Sequence, residues 1–495
     1  LPANNNVIKV GMVLDVDFFR KDKGGDPDLI RLSQKQRYKN QNLVDEVLHN
    51  DSEWRAVRFK VDQWNKFKNL CGKAISDKIK ADKKQRNQQV TAQEQQGQKD
   101  IKISIESLDK DKIMALSINE IKKLSTQIDN EVAEMQLRVK ELLKSRDAAL
   151  REVGNILHRD VPISNDEEDN AIIRTFGDFK VTKPLNHIDI CSKIDGVDTT
   201  RGIKVAGARN YFLKGPLVFL EQALIQLSMR ILLDEEYIAL YTPFLMKRDV
   251  MEEVAQLSQF HEELYKVTEK SDVDSTEEEK YLIATSEQPI AAYHRDEWID
   301  PSRLPIKYSG LSTCFRQEVG SHGKDTRGIF RVHQFEKVEQ FCITSPENDE
   351  SWKMFHHMIA NSEKFYQLLK IPYRIVSIVS GELNNAAAMK YDLEAWFPGS
   401  QSFRELVSCS NCTDYQSRSL KIRFGQTKKQ QGSANYVHML NCTMCATTRT
   451  ICAILENYQT PDGVVIPDIL QSFMPTQFQT FIPYLKISDS NGTIE

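Results

Sequence analysis

The sequence predicts an α+β fold, in which a long helical hairpin precedes a domain of short strands and helices. Apolar residues recur at helical spacing over residues 41–86 and again over residues 121–157. Neither segment contains proline, and the second pattern is first interrupted at Pro162. Over residues 184–483, short apolar and aromatic runs alternate with turn residues, which is typical of a mixed domain with its own core.

The two helical segments predict an antiparallel hairpin, each helix carrying one apolar stripe. The stripes consist of Trp54, Val57, Val61, Trp64, Cys71 and Ile75, and of Ile121, Leu124, Ile128, Val132, Met135, Val139, Leu142, Leu150, Val153 and Leu157. A helix of about 45 residues is roughly 65 Å long. Residues 85–99 hold seven glutamines and predict a flexible tip. A packed helical domain or a dimerising coiled coil fits the same pattern.

The first helical segment is strongly basic, since residues 55–86 contain eleven Lys or Arg and three Asp or Glu. Such a stripe could neutralise the phosphates of a nucleic-acid backbone. The alternative is a basic helix face that is simply solvated.

Composition limits the class of protein. The chain has 495 residues, 66 basic and 70 acidic residues, 40% apolar residues and nine cysteines. It is long enough for two or three domains, too apolar to be disordered, too charged for a membrane protein, and not uniformly basic. We find no run of about 18 uncharged apolar residues, which would predict a membrane span, and no basic and apolar leader, which would predict secretion. The cysteine content is typical of a reduced, intracellular protein.

Three divisions are predicted, namely an N-terminal domain with the hairpin, an acidic irregular linker and a second domain, at residues 1–165, 166–183 and 184–495. Residues 1–11 are expected to be an extension ahead of the folded start. Residues 268–280 predict an exposed acidic loop, and the last eleven residues predict a frayed tail.

The densest set of functional side chains lies in residues 311–341, which predict a strand, a Gly-rich loop at 320–328 and a returning strand. Because side chains alternate along a strand, Arg316 and Glu318 are expected to share one face. The matching face of the returning strand consists of Arg331, His333, Phe335, Lys337 and Glu339. Cross-strand ion pairs on a solvated face are the alternative. Against it, Phe335 among the charges favours stacking on a base, and arginine suits phosphate.

Two further clusters offer binding groups. Thr285 and Glu287 are expected on one strand face, where a hydroxyl beside a carboxylate could hold an ammonium group. Glu405 and Ser408 supply the hard oxygen ligands that Mg²⁺ prefers.

A fourth cluster follows near residue 440. Asn441 and Thr443 alternate onto one strand face, and a helix begins with Thr447 or Thr448 as its cap and Arg449 in its first turn. The clusters together suit a nucleoside triphosphate, a divalent metal and a small amino-bearing substrate. The sequence has no GxxxxGK[ST] loop and no GxGxxG motif, which argues against a P-loop or Rossmann site.

At this point the chain resembles the seryl-tRNA synthetases of the eukaryotic cytoplasmic type, which are class II aminoacyl-tRNA synthetases. Motif 1 matches the helix with Leu217, Leu220, Leu224, Leu227 and Ile231 and the strand YIALYTPF, which contains Pro243. Motif 2 matches Phe315, Arg316 and Glu318, with Arg331 returning, and motif 3 matches Arg449. The strings TSE, VHQFEKVEQF and ELVSCSNCTDYQ make the resemblance specific.

The resemblance implies an antiparallel sheet flanked by helices, rather than a doubly wound parallel sheet, and a homodimer formed through the motif 1 region around Pro243. It implies that the chain activates L-serine with ATP to seryl-adenylate and esterifies the 3′ end of serine tRNA in the cytoplasm. The helical arm would reach the long variable arm of the tRNA, and the anticodon would not be needed. Some members also serylate selenocysteine tRNA, a point that the sequence leaves open here.

The resemblance also implies residue roles, with Arg316, Arg449 and Glu405 as catalytic residues. The implied ATP-binding residues are Arg316, Gln317, Glu318, Arg331, Val332, His333, Gln334, Phe335, Glu405, Leu406, Val407, Ser408 and Arg449. Phe335 would stack on adenine and Glu318 would contact its amino group. The implied serine-binding residues are Thr285, Glu287, Arg316, Glu339, Asn441 and Thr443. Glu405 and Ser408 would hold the Mg²⁺ that accompanies ATP.

Two CxxC pairs, Cys409 with Cys412 and Cys442 with Cys445, have a spacing often found in zinc sites. Strand geometry would point the two cysteines of each pair to opposite faces, so no zinc is expected. Two other functions fit parts of the sequence. A non-catalytic synthetase-like protein would be expected to lose the motif arginines or Glu405, and a coiled-coil scaffold leaves residues 311–341 unexplained.

Overall fold

The computed structural model describes residues 14–86, 110–255, 263–268, 279–319, 327–426 and 435–485. The predicted N-terminal extension lies outside the described residues, and so does the predicted C-terminal tail apart from Leu485. The same holds for most of the glutamine-rich tip, the acidic loop and the Gly-rich loop.

The helices of the described residues are α1 (Pro27–Gln36), α2 (Asn42–Arg86), α3 (Lys110–Ala115), α4 (Ile118–Glu152), α5 (His187–Lys193), α6 (Thr199–Ala206), α7 (Pro216–Asp234), α8 (Arg248–Val254), α9 (Glu287–Ala291), α10 (Glu350–Leu368), α11 (Tyr415–Leu420) and α12 (Thr447–Asn457). Short 3-10 helices lie at Val16–Phe19, Lys21–Lys23, Glu167–Asp169, Ala292–His294, Pro301–Arg303, Ser380–Glu382, Asp468–Phe473 and Thr476–Phe478.

The strands are β1 (Ala171–Phe176), β2 (Val197–Asp198), β3 (Phe212–Leu213), β4 (Ile238–Tyr241), β5 (Leu245–Lys247), β6 (Lys266–Val267), β7 (Lys280–Leu282), β8 (Trp298–Ile299), β9 (Ile306–Phe315), β10 (Gln334–Thr344), β11 (Tyr373–Ser377), β12 (Met389–Phe397), β13 (Ser402–Asn411), β14 (Arg423–Phe424), β15 (His438–Ala446), β16 (Gly463–Val465) and β17 (Phe481–Pro483).

The helical arm is one of two compact units and comprises residues 42–150. Its helices α2 and α4 run antiparallel, because Arg146 Nη1 lies 3.0 Å from Asp51 Oδ1 while Lys68 Nζ lies 2.6 Å from Asp129 Oδ1. The predicted stripes meet in a core of Val61, Cys71, Ala74, Ile113, Ile121, Leu124, Ile128 and Val132. The antiparallel hairpin is therefore confirmed. The second helix ends at Glu152, so Val153 and Leu157 continue its apolar pattern without being helical.

The other unit comprises residues 1–41 and 151–495, and its centre is an eight-stranded sheet in the described residues. The strand order is β1-β11-β12-β13-β15-β10-β9-β4. Neighbouring strands pair antiparallel except β4 and β9, which are parallel. Helices α7, α10 and α12 pack against this sheet. The prediction of an antiparallel sheet flanked by helices is confirmed.

The segment predicted as an irregular linker is partly regular, which corrects that expectation. Residues 171–176 form the edge strand β1 of the large sheet, paired with β11. Its side chains are largely exposed, including Ile172 and Ile173. An edge strand without a buried face lacks the alternating pattern on which strand prediction depends. The predicted domain boundaries at residues 165 and 183 stay a prediction.

Helix α7 carries the leucines of motif 1 into the core. Gly215 and Pro216 begin the helix, with proline at a position that needs no amide hydrogen. Leu217, Leu220 and Leu224 are fully buried. By length and composition α7 is the one helix in the described ranges apolar enough to cross a membrane, and half of it is buried in the fold. Packing in the core accounts for this apolar character.

The N-terminal segment is tied to the sheet by Arg37, which is fully buried. Its guanidinium donates to three backbone carbonyls, those of Asn155, Asn384 and Ala387. Burial lowers the pKa of Arg37 to about 10, and the three acceptors satisfy the donors that the fold removes from water. These hydrogen bonds hold the loop before β12, and Asn384 of that loop lines a cleft on the sheet.

Candidate active site

A cleft opens on one face of the large sheet, where side chains of β10, β13 and β15 point in the same direction. Its lining consists of Thr285, Glu287, Arg316, Glu318, Phe330, Arg331, Val332, Phe335, Lys337, Glu339, Asn384, Glu405, Leu406, Ser408, Ser410, Asn441, Thr443, Ala446, Thr448 and Arg449. Most of the residues predicted for the site are therefore brought together. The clusters that are far apart in sequence meet because β15 lies between β10 and β13.

Strands β9 and β10 position the first arginine. They pair antiparallel from Phe315 with Gln334 onward, so Arg316 lies just beyond the end of β9. Its backbone N–H donates to His333 O at 2.9 Å, and its Nε donates to Ala284 O at 3.3 Å. Its guanidinium carbon lies 5.4 Å from the centre of the Phe335 ring. A fixed guanidinium thus borders an aromatic ring, as a nucleotide site requires.

Glu318 and Arg331 lie outside the strands, contrary to the simple alternation that was predicted. Glu318 has a φ of 51°, and Arg331 precedes β10. Their side chains nevertheless converge, since Arg331 Nη1 lies 3.6 Å from Glu318 Oε2. The turn at Glu318, rather than strand alternation, aims the carboxylate at the cleft.

Four predicted residues do not line the cleft with their side chains. Gln317 Nε2 donates to Leu264 O at 2.6 Å, and the His333 ring contacts Arg316 O at 2.8 Å. Gln334 is exposed and its carbonyl accepts from Tyr211 O–H. Val407 is fully buried in the hydrophobic core. Gln334 and Val407 lie on strands beside residues that face the cleft, and consecutive residues of a strand point to opposite faces. Gln317 and His333 lie outside β9 and β10, so the predicted strand alternation does not set their direction.

Glu405 and Ser408 share the cleft face although they are three residues apart. The pairing of β12 with β13 shifts between Leu393 and Glu394, so that Val407 pairs with Leu393 and Glu405 with Glu394. Leu406 is the extra residue of this β-bulge, and the bulge rotates Glu405 back onto the face of Ser408.

The electrostatic surroundings keep Glu405 ionised. Burial alone would raise its pKa, but the guanidinium of Arg449, with Lys390 and Arg316, holds the pKa of Glu405 below its usual range. Arg449 Nη1 lies 3.4 Å from Glu405 Oε2. A carboxylate and a hydroxyl on one face are oxygen donors of the kind that a magnesium ion takes.

Arg449 lies in the first turn of α12, as predicted, but the predicted cap is wrong. The N-cap position is Ala446, and no side chain caps the helix. The Thr447 hydroxyl instead lies 2.8 Å from Glu221 Oε1. Arg449 stacks over the Phe330 ring at 5.0 Å.

The other end of the cleft carries two carboxylates, Glu287 and Glu339. Gln416 Nε2 and Asn441 Nδ2 both donate to Glu287 Oε1 at 2.9 Å. Thr443 Oγ1 donates to Glu339 Oε2 at 3.3 Å. Burial, followed by the nearby charge of Glu339, raises the pKa of Glu287.

Thr285 and Glu287 reach this end of the cleft by a different local structure from the predicted strand. Thr285 lies in a bend after β7, and Glu287 is the first residue of α9. Their spacing of two residues was read as strand alternation, but a short run of this kind does not distinguish a strand from a turn.

Six lining residues were not among those predicted to bind a substrate, although Thr448 was a candidate helix cap: Phe330, Lys337, Asn384, Ser410, Ala446 and Thr448. Lys337 was placed on the correct face but given no function. Ser410 follows from alternation with Ser408, whereas Asn384 is brought in by a loop and no local pattern marks it.

The four cysteines of the CxxC pairs are buried, and Cys409 pairs with Cys442 between β13 and β15. Cys409 Sγ donates to Phe355 O, Asn441 Nδ2 donates to Cys412 Sγ, and Cys445 Sγ donates to Thr450 Oγ1. Within the described residues, no group of three or more His, Cys, Asp or Glu side chains is arranged to hold a metal ion. The expectation about zinc itself stays a prediction.

Comparison with known proteins adds independent findings. The family profile "tRNA synthetase class II core domain (G, H, P, S and T)" matches residues 265–458, and "Seryl-tRNA synthetase N-terminal domain" matches residues 13–112. The chain is 57% identical over 480 residues to the cytoplasmic serine–tRNA ligase of Bos taurus, which covers 96% of this chain and 92% of that protein.

Two solved structures are similar along almost the whole chain. The cytoplasmic serine–tRNA ligase of Naegleria fowleri in complex with AMP has a TM-score of 0.77 and 46% identity, covering 95% of this chain and 99% of that chain. The seryl-tRNA synthetase of Pyrococcus horikoshii complexed with ATP has a TM-score of 0.78 and 34% identity, covering 96% and 100%.

Proposed function

The chain belongs to the seryl-tRNA synthetase family, and from this premise we propose that its cleft activates serine with ATP and then transfers the seryl group to tRNA. Its activity is that of an aminoacyl-tRNA ligase for serine, and like the cytoplasmic relatives it acts in the cytoplasm. The observation that carries the assignment of the site is the meeting of three groups in one cleft. These are the arginines, the aromatic ring and the pair of carboxylates.

ATP occupies the arginine end of the cleft in this proposal. Phe335 stacks on the adenine ring, and Glu318 accepts a hydrogen bond from its amino group. Arg331 and Arg449 bind the triphosphate oxygens, for which the planar guanidinium is suited. The position of Arg316 between Phe335 and the carboxylate end supports a contact with the α-phosphate.

Glu405 and Ser408 would hold the Mg²⁺ that accompanies ATP, a role supported by their shared face and by the lowered pKa of Glu405. When bound, the ion would supply positive charge that neutralises the triphosphate. Asp392 of β12 lies opposite Ser408 of β13 in the strand register, and burial raises the pKa of the Asp392 carboxyl group.

Serine occupies the other end of the cleft. Its ammonium group lies beside Glu287, Glu339 and Thr285, and its hydroxyl group reaches Asn441 or Thr443. Hydrogen bonds to the carboxylates orient Asn441 and Thr443, which leaves the amide oxygen of Asn441 and the hydroxyl oxygen of Thr443 to accept from the serine hydroxyl. An amino acid without that hydroxyl leaves these acceptors unpaired. This favours serine over alanine by about 10⁴-fold, whereas threonine is excluded by size.

The chemistry then requires positioning and charge neutralisation. A carboxylate oxygen of serine attacks the α-phosphorus in line with the leaving pyrophosphate, which gives seryl-adenylate. A ribose hydroxyl at the 3′ end of the tRNA next attacks the seryl carbonyl carbon, and AMP leaves as an ester bond forms. Arg316 remains beside the phosphate in both steps and stabilises the charge that develops there.

The basic helical arm binds the tRNA in this proposal, since RNA helices are recognised mainly through shape and backbone. The chain also forms a homodimer through α7 and β4, the motif 1 elements. Support comes from exposed apolar side chains on these elements, among them Phe219, Ile238 and Tyr241.

Pyrophosphate–ATP exchange across all amino acids tests the assignment. We expect serine to be the one that supports rapid exchange, with alanine slower by about 10⁴-fold. Exchange with another amino acid at a higher rate, or with none, would contradict the proposed specificity.

A further inference from the structure

Lys337 is buried in the cleft without a role in the reaction described above. It stands two residues before Glu339 on β10, and its Nζ lies 2.5 Å from Glu339 Oε2. The side chains of the two residues are 7% and 2% exposed. A buried lysine is rare unless it is paired, and removing its ammonium group from water is costly.

The carboxylates beside Lys337 form a site with a defined charge. When ionised, Glu287 and Glu339 together carry two negative charges, and Lys337 adds one positive charge. The other charged or titratable groups facing Glu287 are the Arg316 guanidinium after β9 and the Cys412 thiol beside α11. Without a fixed cation, two neighbouring buried carboxylates repel each other, and one of them takes up a proton.

We propose that Lys337 is a positioning residue of the amine subsite, which holds Glu339 through their ion pair and opposes protonation of Glu287 while the cleft is empty. Lys337 and the two carboxylates then carry one net negative charge among them, which the ammonium group of serine neutralises when it enters, while Arg316 faces the phosphate. This inference rests on the proposed serine site and adds a residue that determines when that site accepts an ammonium group.

The electrostatic balance at Glu287 supports this role. Burial and the charge of Glu339 raise the pKa of Glu287, whereas Lys337 opposes the rise. Because the ammonium group of serine requires ionised partners, serine binding weakens as the pH falls through this pKa. Removing the charge of Lys337 moves that weakening to higher pH.

The test measures the KM values for serine and for ATP in the exchange reaction between about pH 5.5 and 8.5. Lys337→Met is expected to raise the KM for serine about 10-fold or more at pH 7, with a much smaller effect on the KM for ATP. The acid limb of its serine profile should lie about one pH unit or more above that of the wild type. Lys337→Arg should restore the wild-type profile.

The matched control is Lys307→Met. Lys307 lies on the neighbouring strand β9, is 16% exposed and pairs with Glu236 outside the cleft. It should keep the wild-type pH profile. An unshifted acid limb in Lys337→Met, or an equal loss of serine and ATP binding, would show that Lys337 has a structural role only.

The pH profile of the wild type and the KM of Glu339→Gln for serine distinguish a failure of the role of Lys337 from a failure of the proposed serine site. If Lys337→Met does not fold, the wild type decides, because a serine KM that already climbs steeply below about pH 7.5 contradicts the inference, whereas a flat profile to about pH 6 supports it. Glu339→Gln tests the serine site itself. If that variant leaves the KM for serine unchanged, the proposed site fails. If it raises the KM while Lys337→Met shows no shift, only the role of Lys337 fails.

Discussion

Arg316 is held in place before any substrate enters the cleft. Its backbone N–H donates to His333 O, its Nε donates to Ala284 O, and its guanidinium lies over the Phe335 ring. A side chain fixed in this way loses little conformational entropy when it meets a phosphate. Preorganisation of this kind is the main means by which a protein stabilises charge that develops during a reaction.

Substituting Arg316 with Ala should therefore lower serine-dependent pyrophosphate–ATP exchange by at least about 10²–10³-fold, because the α-phosphate loses its charged partner. The measurement is the exchange rate at saturating serine and ATP. Arg295→Ala is the matched control, since Arg295 pairs with Glu253 away from the cleft. Normal exchange in Arg316→Ala would remove Arg316 from its proposed role.

At the residue scale, the sequence predicted most of the cleft because motif residues and strand alternation are local features. The errors have local causes as well. Val407 was assigned to ATP as part of a motif string, yet it faces the core, and Glu405 joins Ser408 only through the bulge at Leu406. A bulge is set by pairing with another strand, and a single strand does not reveal it.

At the scale of elements, the arm presents a basic face. Lys66, Lys73 and Lys80 are exposed and seven residues apart on α2, which places them on one side of the helix. The spacing puts successive charges about 10 Å apart along the helix. Such a row can contact successive phosphates of an RNA backbone.

Replacing Lys66, Lys73 and Lys80 together with Ala should weaken tRNA binding and leave exchange unchanged, since adenylate formation does not use the arm. The slope of log K against log salt concentration should decrease by about 3, roughly one unit for each lost phosphate contact. The control replaces the exposed Lys122, Lys140 and Lys144 of α4. An unchanged slope for the α2 variant would contradict the proposed contact.

The carboxylate of Glu456 at the end of α12 connects this helix to the start of α5 and to the turn before β13, all within the unit of residues 1–41 and 151–495. It is fully buried, and its oxygens accept hydrogen bonds from His187, Gly399 and Ser400. Burial alone would raise the pKa of Glu456. The hydrogen bonds from His187 and Ser400 outweigh the effect of burial, so that the pKa of Glu456 is lowered. A carboxylate whose pKa is lowered in the folded state stabilises the fold above its unfolded pKa.

Substituting Glu456 with Gln should lower the free energy of unfolding by about 3 kcal/mol at pH 7, because buried donors lose a charged acceptor. The stabilisation in the wild type is present above the usual value of 4.5 and is lost as the pH falls through the lowered folded-state pKa. The difference between the two proteins should therefore shrink below about pH 4.5. Urea unfolding at several pH values checks this, and a constant difference would contradict it.

At the scale of the whole molecule, the elements of motif 1 and those just before them in the chain expose several apolar side chains. They are Ile203 and Val205 of α6, Phe212 of β3, Val218, Phe219 and Leu233 of α7, and Ile238 and Tyr241 of β4. Tyr241 is 74% exposed and lies on the edge strand of the large sheet. Exposed apolar side chains and open sheet edges are often covered by a partner, which in the proposed homodimer is a second copy of the chain.

Sedimentation velocity should therefore give the mass of a dimer at micromolar concentration. Changing Ile238 and Tyr241 together to Glu should give a monomer, because charges at the centre of an apolar interface remain unpaired. Ile172→Glu on the opposite edge strand is the control and should remain dimeric. A monomeric wild type, or a dimer that survives both changes, would contradict the proposed interface.

The contacts of the N-terminal segment with the loop before β12 were not indicated by any local sequence pattern. Arg37 connects residues that are more than 300 positions apart, and it orders the loop that carries Asn384 into the cleft. In the sequence Arg37 is one basic residue of the polar stretch RYKNQ after α1, and no local pattern marks it.

The sequence by itself determined the family, the helical arm, the antiparallel strands of motif 2 and the chemical character of the site. These depend on periodicity, on turn residues and on motif strings, all of which are local. The tertiary structure alone decided the edge strand β1, the bulge that aims Glu405, and the pairing of Lys337 with a carboxylate in the amine subsite. The reason is physical, since register, burial and charge balance arise between segments distant in the chain, and no residue carries them in its own neighbourhood.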